Sequence, residues 1–426
     1  MESNKQLKQD YWSYVFRQFN QNKRALIASW MLFILLFIAI FADFIANEKP
    51  IAFKDETGWN FPIIKEYGVD LGLANWPLEW SNIKWSEQKF EKSIFPLIPY
   101  SPTTQDYSNS QFASPFEDQD ISSNRWRHWL GTEALGRDVL SAMIHGTRIA
   151  FMVGLVSMFL ATLIGVLLGA IAGYFGDDRL KFSRAGIIMG LLLFIPAFFY
   201  SFQSRTHLMS EAISDSFFKF LLQITLSILI FLAFILIAWL ISRPLSKIKW
   251  LGEKVSLPVD IFIQRLIEVL VSIPRLFLII AIVAIAKPSI ILVMAVIGLT
   301  SWTEIARFIR AELLKVRNLE YVEAAHALGY SNMRIMLKHA IPNSISPVLI
   351  AVAFGIASAV LVEGFLSFIG IGIPPEVLTW GKLLSLSRSA PWWFAIAPGF
   401  AIFLMVTLFN LLGEGLTDAM DPRQKK

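Results

Sequence analysis

The stretch YVEAAHALGYSNMRIMLKHAIPN, residues Tyr321–Asn343, lies between two long apolar segments and divides into two short amphipathic patterns at Gly329. Gly329 suits the left-handed residue that ends a helix, Ser331 can cap the next helix, and Pro342 is predicted to end it. The residues predicted to share one apolar face are Tyr321, Ala324, Ala325 and Leu328 in the first helix, and Met333, Met336, Leu337, Ala340 and Ile341 in the second. On this pattern alone, a docking element for a partner protein and an ordinary pair of interfacial helices are both open.

The composition indicates a protein with several membrane spans. Of 426 residues, 55% are hydrophobic and 17% are charged, and the mean hydropathy is +0.54. The chain has no cysteine, which excludes disulfides and thiolate sites. The net charge of +5 is uneven, since residues 47–146 hold nine Lys and Arg against fourteen Asp and Glu, while elsewhere basic residues flank apolar segments. This bias is typical of cytoplasmic loops, so it indicates membrane topology rather than nucleic-acid binding.

Eight apolar segments are predicted to be membrane helices, so the predicted fold class is an all-α polytopic membrane protein. They are Ala25–Ala46, Ala150–Phe175, Gly186–Ser201, Phe218–Ser242, Gln264–Ala286, Ser289–Trp302, Ser344–Val362 and Phe394–Leu412. Residues 1–24 are then a cytoplasmic N-terminus, 25–46 the first transmembrane helix, and 47–146 an extracytoplasmic segment. A cleaved signal peptide is the alternative for the first span, but its apolar core is too long and no clear small-residue cleavage site follows it.

Four motifs resemble, in the same order, segments of the permease subunits of bacterial ATP-binding-cassette importers in the oligopeptide, dipeptide and nickel family. They are WLGTEALGRDVL from Trp129, similar to the family's GTD-x-x-GRD segment; Glu323-Ala324-Ala325 with Gly329 and Ile341-Pro342, similar to its EAA loop; EGFLSFIGIGIPPEVLTWG from Glu363 to Gly381; and Pro391–Arg423, similar to its last helix and its terminal DALDPR pattern. Glu133 replaces the usual Asp of the first motif. The stretch Ile45–Gly68 further resembles the long-looped branch that includes microcin-type peptide importers, whereas the C-terminal half is more similar to the ordinary dipeptide and oligopeptide branch.

The resemblance implies a type I importer permease fold with six core spans, a permease domain over residues 147–418 and a cytoplasmic tail over 419–426. Residues 321–343 would form a coupling loop that docks in a cleft of an ATPase subunit. The implied coupling residues are Glu323, Ala324, Ala325, Gly329, Ile341 and Pro342. The implied partners are two ATP-binding-cassette subunits, a homologous second permease subunit, an extracytoplasmic substrate-binding protein and the lipid bilayer. The chain would then lie in the cytoplasmic (inner) membrane with both termini in the cytoplasm, and it would work by alternating access.

Two further places are candidates for the transport pathway or its gate. Arg275 follows a helix-breaking proline, so it either lines an aqueous pathway or extends to the membrane interface, and both interpretations are open. Gly370, Gly372 and Pro374 prevent a regular helix after Glu363. Irregular backbone at membrane depth is found only inside protein or beside a cavity. A re-entrant or extracytoplasmic gate segment is therefore predicted, with a simple loop as the alternative.

Residues 178–258 depart from the family, whose members join the second and third core spans through a short cytoplasmic loop. Here about eighty residues contain two apolar runs, and Gly186–Ser242 is predicted to form an inserted transmembrane hairpin. Basic residues flank the hairpin, while residues 203–216 carry one Arg against two acidic residues, so 203–216 are predicted to lie outside. Pro196 weakens the first run, which is alternatively re-entrant or flat in the interface.

The sequence contains no catalytic constellation. The five histidines form no His-Glu-x-x-His pair, and no phosphate-binding G-x-x-x-x-G-K-[ST] loop occurs. His326 and His339 are explained by solvated faces of the coupling loop. The chain is therefore predicted to be a non-enzymatic transport subunit that binds no metal or cofactor, with ATP and Mg on the partner subunits. The predicted function is import of di- and oligopeptides, and the alternatives are nickel chelates or peptide antibiotics carried by the same machinery. A stand-alone secondary transporter is a lesser alternative, because it would need mid-membrane ion-coupling carboxylates and inverted repeats.

Overall fold

The computed structural model describes residues 2–55, 58–80, 83–85, 88, 90–121, 123–215 and 217–420. In that part of the chain the helices are α1 (Glu2–Gln21), α2 (Lys23–Ile40), α3 (Ala42–Ile45), α4 (Pro62–Asp70), α5 (Val139–Phe175), α6 (Arg184–Ser201), α7 (Thr206–Asp215), α8 (Phe217–Leu245), α9 (Lys249–Gly252), α10 (Val259–Ser272), α11 (Arg275–Ile285), α12 (Ile290–Val316), α13 (Glu320–Ala327), α14 (Asn332–Ile335), α15 (Ile341–Asn343), α16 (Ser346–Ile369), α17 (Trp380–Leu386) and α18 (Ile396–Met420). The strands are β1 (Ala52–Asp55), β2 (Gly58–Asn60), β3 (Lys92–Ile94), β4 (Lys181–Ser183) and β5 (Lys254–Ser256). Helices dominate, which confirms the predicted fold class.

Among the described residues, seven helices are long and apolar enough to cross a membrane, and the bent pair α10–α11 would make an eighth. This agrees with the predicted number of spans, although several boundaries differ. Helix α5 begins at Val139, eleven residues before the predicted Ala150 and within the predicted extracytoplasmic segment. The predicted span Gln264–Ala286 is broken at Ile273–Pro274, where the helix axis bends by 78°. The predicted span Ser289–Trp302 is only the first half of α12, which continues to Val316. Charged residues from Glu304 onward lower the hydropathy of this second half, so the pattern does not predict it as part of the span.

The chain forms two compact units. The first comprises Met1–Asn60, Trp85–Tyr174 and Ile263–Lys426, and the second comprises Phe61–Lys84 and Phe175–Phe262. The predicted insertion over 178–258 falls within the second unit. Residues 421–426, which include the end of the DALDPR-like pattern and most of the predicted tail, lie outside the described residues.

Glycines in α5 set the packing of the first unit. Gly165, Gly169 and Gly173 follow one another at intervals of four along the side that faces α12. A Cβ atom at Gly165 would lie 2.8 Å from the Trp302 carbonyl oxygen, and one at Gly173 would lie 2.7 Å from that of Arg310. Small residues thus let the two backbones approach closely, as is common between membrane helices. Buried apolar side chains fill the space between α5, α11, α12 and α16, among them Val153, Ile279, Ile297 and Leu366.

The start of α2 and the end of α18 lie at the same end of the helix bundle. Asn22, which caps α2, donates a hydrogen bond to the Asp418 carboxylate near the end of α18, at 3.0 Å. At the other end of α2, Asp43 forms an ion pair of 2.7 Å with Arg148 in the early turns of α5. This pair explains the single acidic residue of the predicted first span. Because α5 runs back toward the chain ends, Tyr174 in its last turn lies beside the predicted coupling loop.

The predicted extracytoplasmic segment contains an antiparallel sheet in the order β2-β1-β3 and a buried polar network. His128 is fully buried, with Nδ1 2.8 Å from Oδ2 of Asp138 and Nε2 3.3 Å from Oδ2 of Asp106. The Tyr100 ring stacks on the imidazole. Asp138 also accepts a hydrogen bond from the Ser141 backbone N–H, so it caps the start of α5. The network therefore ties this segment to the first helix of the permease core.

Glu133, which stands where the first family motif usually has Asp, keeps the turn of that motif intact. Oε1 of Glu133 accepts hydrogen bonds from Nε of Arg137 at 3.0 Å and from the Leu135 N–H at 2.9 Å. Gly136 adopts φ +79°, and a Cβ atom there would overlap the Asp106 carbonyl group. Glycine is therefore required at this turn both by its backbone conformation and by the close approach of Asp106.

The second unit contains the predicted inserted hairpin, which consists of two antiparallel helices, α6 and α8. At one end, strands β4 and β5 pair, and Arg184 forms an ion pair of 2.8 Å with Glu253. At the other end, Nε of Arg205 donates to the hydroxyl of Ser227 at 3.1 Å. Pro196 lies inside α6 without ending it. Between the long helices the chain forms the short helix α7, which the sequence pattern did not predict. Both long helices are long and apolar enough to span a membrane, and the side on which α7 lies stays a prediction.

Candidate coupling surface and membrane cavities

The predicted helix–glycine–helix element is present at the end of α12. Gly329 follows α13 with φ +79°, and no atom lies within 4 Å of a Cβ built on it. The position therefore needs glycine for its left-handed backbone rather than for lack of space. Ser331 caps α14 by accepting a hydrogen bond from the Arg334 N–H. Both predicted caps are confirmed.

Pro342 does not end the second helix, contrary to the prediction. Residues Met336–Ala340 form a π-helical turn, in which the Ile341 N–H donates to the Met336 carbonyl, and α15 then carries the chain through Pro342. A proline inside a helix lacks the N–H and crowds the carbonyl four residues earlier, and a wider turn before it relieves the crowding. After Pro342, the side-chain amide of Asn343 donates to the Tyr321 hydroxyl at 3.2 Å, which joins the two short helices.

The predicted apolar face is wrong, because the apolar residues divide between two sides. The residues that are buried against the rest of the first unit are Val322, Ala325, Ile335, Met336 and Ala340. Leu328, Met333 and Leu337 are 74%, 55% and 58% exposed. Periodicity alone could not separate these groups, since each short helix carries apolar residues on more than half of its circumference. We call the exposed residues Glu323, Ala324, Leu328, Met333 and Leu337 the coupling surface. Among the predicted coupling residues, Ala325 is buried and Ile341 and Pro342 are half-buried, so these three are not part of the coupling surface, and the coupling role of all six stays a prediction.

The two histidines of this stretch have protein partners in addition to solvent. Nε2 of His326, on α13, lies 3.3 Å from the hydroxyl of the fully buried Tyr174. The guanidinium of Arg317, at the end of α12, donates to the Gly173 carbonyl at 3.3 Å. His339 stacks on Tyr330. The coupling loop is therefore tied to the last turn of α5 as well as to α12.

A row of three cavities follows α12. The first, of about 410 Å³, is lined by residues of α5, α11, α12 and α16, and they include Arg275, Ser301 and Glu304. The same three residues line a second cavity of about 270 Å³ beside the break between α10 and α11. A third cavity, of about 400 Å³, shares Arg307 with the second and reaches Glu268 of α10. One face of α12 thus presents its polar side chains to these spaces.

Arg275 lies at the break itself, as the first residue of α11. Its Nη2 atom donates to Oγ of Ser301 on α12 at 2.6 Å. The side chain therefore crosses to a neighbouring helix between two cavities, which is the arrangement expected of a residue that lines a pathway. A residue extending to the interface would instead lie along its own helix. Its role in transport stays a prediction.

The sequence did not single out Glu304 and Arg307, because its predicted span ends at Trp302. Both side chains are exposed in the chain alone, one helical turn apart on a helix that is otherwise largely buried. A charged side chain facing lipid is costly, so such a face normally turns to water or to another protein subunit. The signal that could have found them is the helical spacing of Ser301, Glu304 and Arg307.

The other predicted gate residues do not line these three cavities. Glu363 is buried in α16 and accepts a hydrogen bond from Ser367 at 2.7 Å. Gly370 ends α16 in the left-handed conformation. Gly372 has φ +92° and a carbonyl that accepts the Ser289 N–H at 2.8 Å, and a Cβ there would lie 2.5 Å from Val283. Pro374 follows in the same irregular segment. Gly372 is buried, whereas Gly370 is exposed, so only part of the broken backbone lies inside the protein, and the gate role stays a prediction.

Two family models match the chain. Residues 250–426 match the model of the binding-protein-dependent transport system inner membrane component. Residues 10–60 match the N-terminal TM domain of oligopeptide transport permease C. The first range contains the broken span, the cavity-lining face of α12 and the coupling surface, and the second contains the first predicted membrane helix.

Several curated proteins are similar over most of the chain. The inner membrane ABC transporter permease protein YejE of Escherichia coli (strain K12) is 26% identical over 417 residues, which cover 96% of each chain. The peptidoglycan transport system permease protein YejE of Agrobacterium fabrum is 26% identical over 96% of this chain and 92% of its own. The dipeptide transport system permease protein DppC of Alkalihalophilus pseudofirmus is 27% identical over 75% of this chain and 79% of its own. The chain thus matches both models over these ranges, and along most of its length it resembles inner-membrane permeases of ABC importers of the oligopeptide and dipeptide type.

Proposed function

We propose that this chain is the permease subunit that passes peptides across the cytoplasmic membrane by alternating access, driven by separate ATPase subunits. The observation that carries the proposal is the continuity of α12. Its middle lines the cavities with Ser301, Glu304 and Arg307, and its last turn leads directly into α13 and the coupling surface. Helix α12 therefore connects the cavities proposed for the substrate with the coupling surface proposed for the ATPase.

In the proposed cycle, ATPase subunits bind the coupling surface and shift it when they bind ATP. A partner can shift the permease only if its contacts differ between the two states. The shift would pass from α13 to α12 through the chain and to α5 through Tyr174 and Arg317. The broken pair α10–α11 is the element whose rearrangement would open the cavities to one side and then to the other.

The proposed partners follow from the surfaces left uncovered. A homologous second permease subunit would cover Glu304 and Arg307 and complete the pathway. An extracytoplasmic binding protein would deliver substrate on the side of residues 47–146. Because the start of α2 and the end of α18 share the coupling end of the bundle, we place both termini in the cytoplasm. ATP and Mg would be bound by the ATPase subunits, and this chain would contribute no catalytic residue.

The proposed substrate class is di- and oligopeptides, because the names of the relatives refer to dipeptide, peptide and peptidoglycan transport. Nickel chelates and peptide antibiotics are the alternatives for the same machinery. The three cavities carry more cationic than anionic side chains, with Arg275, Arg307 and Arg310 against Glu268 and Glu304. This balance favours a substrate with a carboxylate over a metal cation.

The test is uptake of labelled di- and tripeptides by cells with and without the gene, combined with recovery of the ATPase subunits from solubilised membranes. Leu328→Glu should abolish recovery of the ATPase, since it places a charge on the exposed coupling surface. Leu97→Glu is the matched control, because Leu97 is 81% exposed in the predicted extracytoplasmic segment. Equal ATPase recovery with both variants, or uptake unchanged by loss of the gene, would contradict the proposal.

A further inference from the structure

We infer that Arg275 binds the carboxylate group of the transported peptide. The inference rests on the proposed function and adds to it the residue that recognises the substrate. It also gives a physical reason for an arginine at the break in a membrane span.

The hydrogen bonds of Arg275 are incomplete. The guanidinium has five N–H donors, and Nη2 uses one on the Ser301 hydroxyl. Nε is buried and has no hydrogen-bond partner among the described residues. The Ser301 hydroxyl itself donates to the Ile297 carbonyl, so it offers the arginine only a lone pair. A buried donor without a partner is costly, and an incoming acceptor would remove that cost.

The charge of Arg275 also lacks a close counter-ion. No carboxylate of the described residues lies within 4.0 Å of its guanidinium. Glu268, on the preceding helix, is paired with Arg265 at 2.6 Å. Glu304 lines the same two cavities and interacts with Arg275 only at longer range. An arginine at membrane depth whose one partner is neutral can bind an anion that is not part of the chain.

The surrounding space suits a peptide rather than a small inorganic anion. The cavity of about 410 Å³ is within the range of sites for small organic ligands. Its apolar lining includes Met158, Ile350 and Phe354. The planar guanidinium matches the two oxygens of a carboxylate, and the apolar walls can accept peptide side chains. Every peptide with a free C-terminus carries this carboxylate, so the site would recognise the class and not the sequence.

The experiment compares two peptides and three variants in the complete reconstituted transporter. One tripeptide is used with a free carboxylate and with a C-terminal amide, and uptake of each is measured for wild type, Arg275→Gln, Arg275→Lys and Arg243→Gln. Since the same binding protein delivers both peptides in every sample, a change in the acid-to-amide ratio reports on the permease. We expect Arg275→Gln to lower uptake of the acid by about ten- to a hundredfold and to leave uptake of the amide nearly unchanged.

Arg275→Lys keeps the charge without the planar fork, so it should retain part of the preference for the acid; it also tests the site if the Gln variant does not assemble. Arg243→Gln should leave the acid-to-amide ratio unchanged, because Arg243 lies near the end of α8 over the Trp239 ring and lines none of the three cavities. Equal losses for acid and amide in Arg275→Gln, or an acid-selective loss as large in Arg243→Gln, would overturn the assignment. If the wild-type complex imports neither peptide, the proposed function itself is wrong.

Discussion

The hydroxyl of Tyr174 and Nε2 of His326 lie 3.3 Å apart, although 152 residues separate them in the chain. Tyr174 is fully buried in the last turn of α5, whereas His326 is exposed on α13, in the coupling loop. This contact gives the coupling loop a second attachment to the membrane helices, independent of its covalent link to α12. If the loop is moved by an ATPase, α5 is moved with it.

Tyr174→Phe should therefore uncouple ATP hydrolysis from transport. The change removes only the hydroxyl, so assembly should persist, while the loss of about 1 kcal/mol of hydrogen bonding weakens the attachment. We expect the number of ATP molecules hydrolysed per peptide imported to rise several-fold. Tyr107→Phe is the control, since the Tyr107 hydroxyl bonds Gln105 in the predicted extracytoplasmic segment. An unchanged ratio in Tyr174→Phe would show that the contact transmits nothing.

Gly329→Val should abolish transport with little effect on membrane insertion. A β-branched residue at φ +79° is strained by about 1–2 kcal/mol, and the second short helix would be redirected to relieve it. Gly329→Asn should retain most of the activity, because asparagine tolerates the left-handed region and no atom lies within 4 Å of its Cβ. Similar uptake in both variants would mean that this turn does not direct the coupling surface.

Gly169→Val should prevent stable assembly. Its side chain would overlap the Ala306 carbonyl oxygen and the Ile309 side chain, so α5 and α12 would have to separate. The expected result is a large loss of folded protein in detergent, measured by monodisperse recovery. Gly190→Val, in α6, is the matched control because nothing lies within 4 Å of a Cβ at that position. Equal recovery of the two variants would contradict the close contact of α5 with α12.

A cysteine at Glu211 should be labelled by an impermeant thiol reagent added outside intact cells. Glu211 is an exposed residue of α7, and the wild-type chain has no thiol, so any signal comes from this position. A cysteine at Lys338, in the coupling loop, should react only after permeabilisation. Labelling of Glu211→Cys only in permeabilised cells would refute the prediction that the inserted hairpin crosses the membrane with α7 outside.

The buried network around His128 predicts acid sensitivity of the extracytoplasmic segment. Burial by itself would raise the pKa of Asp106, but hydrogen bonds from Asn109 and His128 outweigh it and lower that pKa below its ordinary value. A lowered folded-state pKa means that the stabilisation is present above the unfolded pKa of about 4 and is lost as the pH falls through the folded pKa. The charged and titratable groups that face His128 are Asp106, Asp138 and Tyr100.

The unfolding temperature of the detergent-solubilised protein should therefore decrease below about pH 4. Asp106→Asn should lower the unfolding temperature at neutral pH and reduce its dependence on acid. An Asp106→Asn protein with the same acid dependence as wild type would show that other carboxylates dominate. Asp120→Asn serves as the control, because the contact of Asp120 with Asn109 is made by its backbone and not by its carboxylate.

Features set by local backbone chemistry could be predicted from the sequence, and features set by distant contacts could not. Gly329 and Ser331 were assigned correctly because the end of one helix and the cap of the next depend on neighbouring residues alone. The exposure of Leu328 and Leu337 depends on which side of the two short helices packs against the rest of the first unit. The periodicity of the sequence does not identify that side. The π turn before Pro342 was missed because standard proline rules expect a helix to end there.

The polar residues of the membrane region show the same division. Arg275 was a candidate because an arginine beside a proline is unusual within an apolar segment. Glu304 and Arg307 escaped notice because their charge made the second half of α12 look like a loop. The contacts of His128 with Asp138 and Asp106 join residues ten and twenty-two positions apart through irregular chain, where no periodic pattern exists.

The glycine-lined contact between α5 and α12 limits how this permease can move. Sliding one helix along the other would move the backbone of Trp302, Ala306 and Arg310 out of the spaces that Gly165, Gly169 and Gly173 leave for it. The close contact therefore opposes shear between these helices, and we expect them to move together as one rigid body. Bending must then take place elsewhere, and the 78° break ahead of Arg275 is the place where the backbone is already free to act as a hinge.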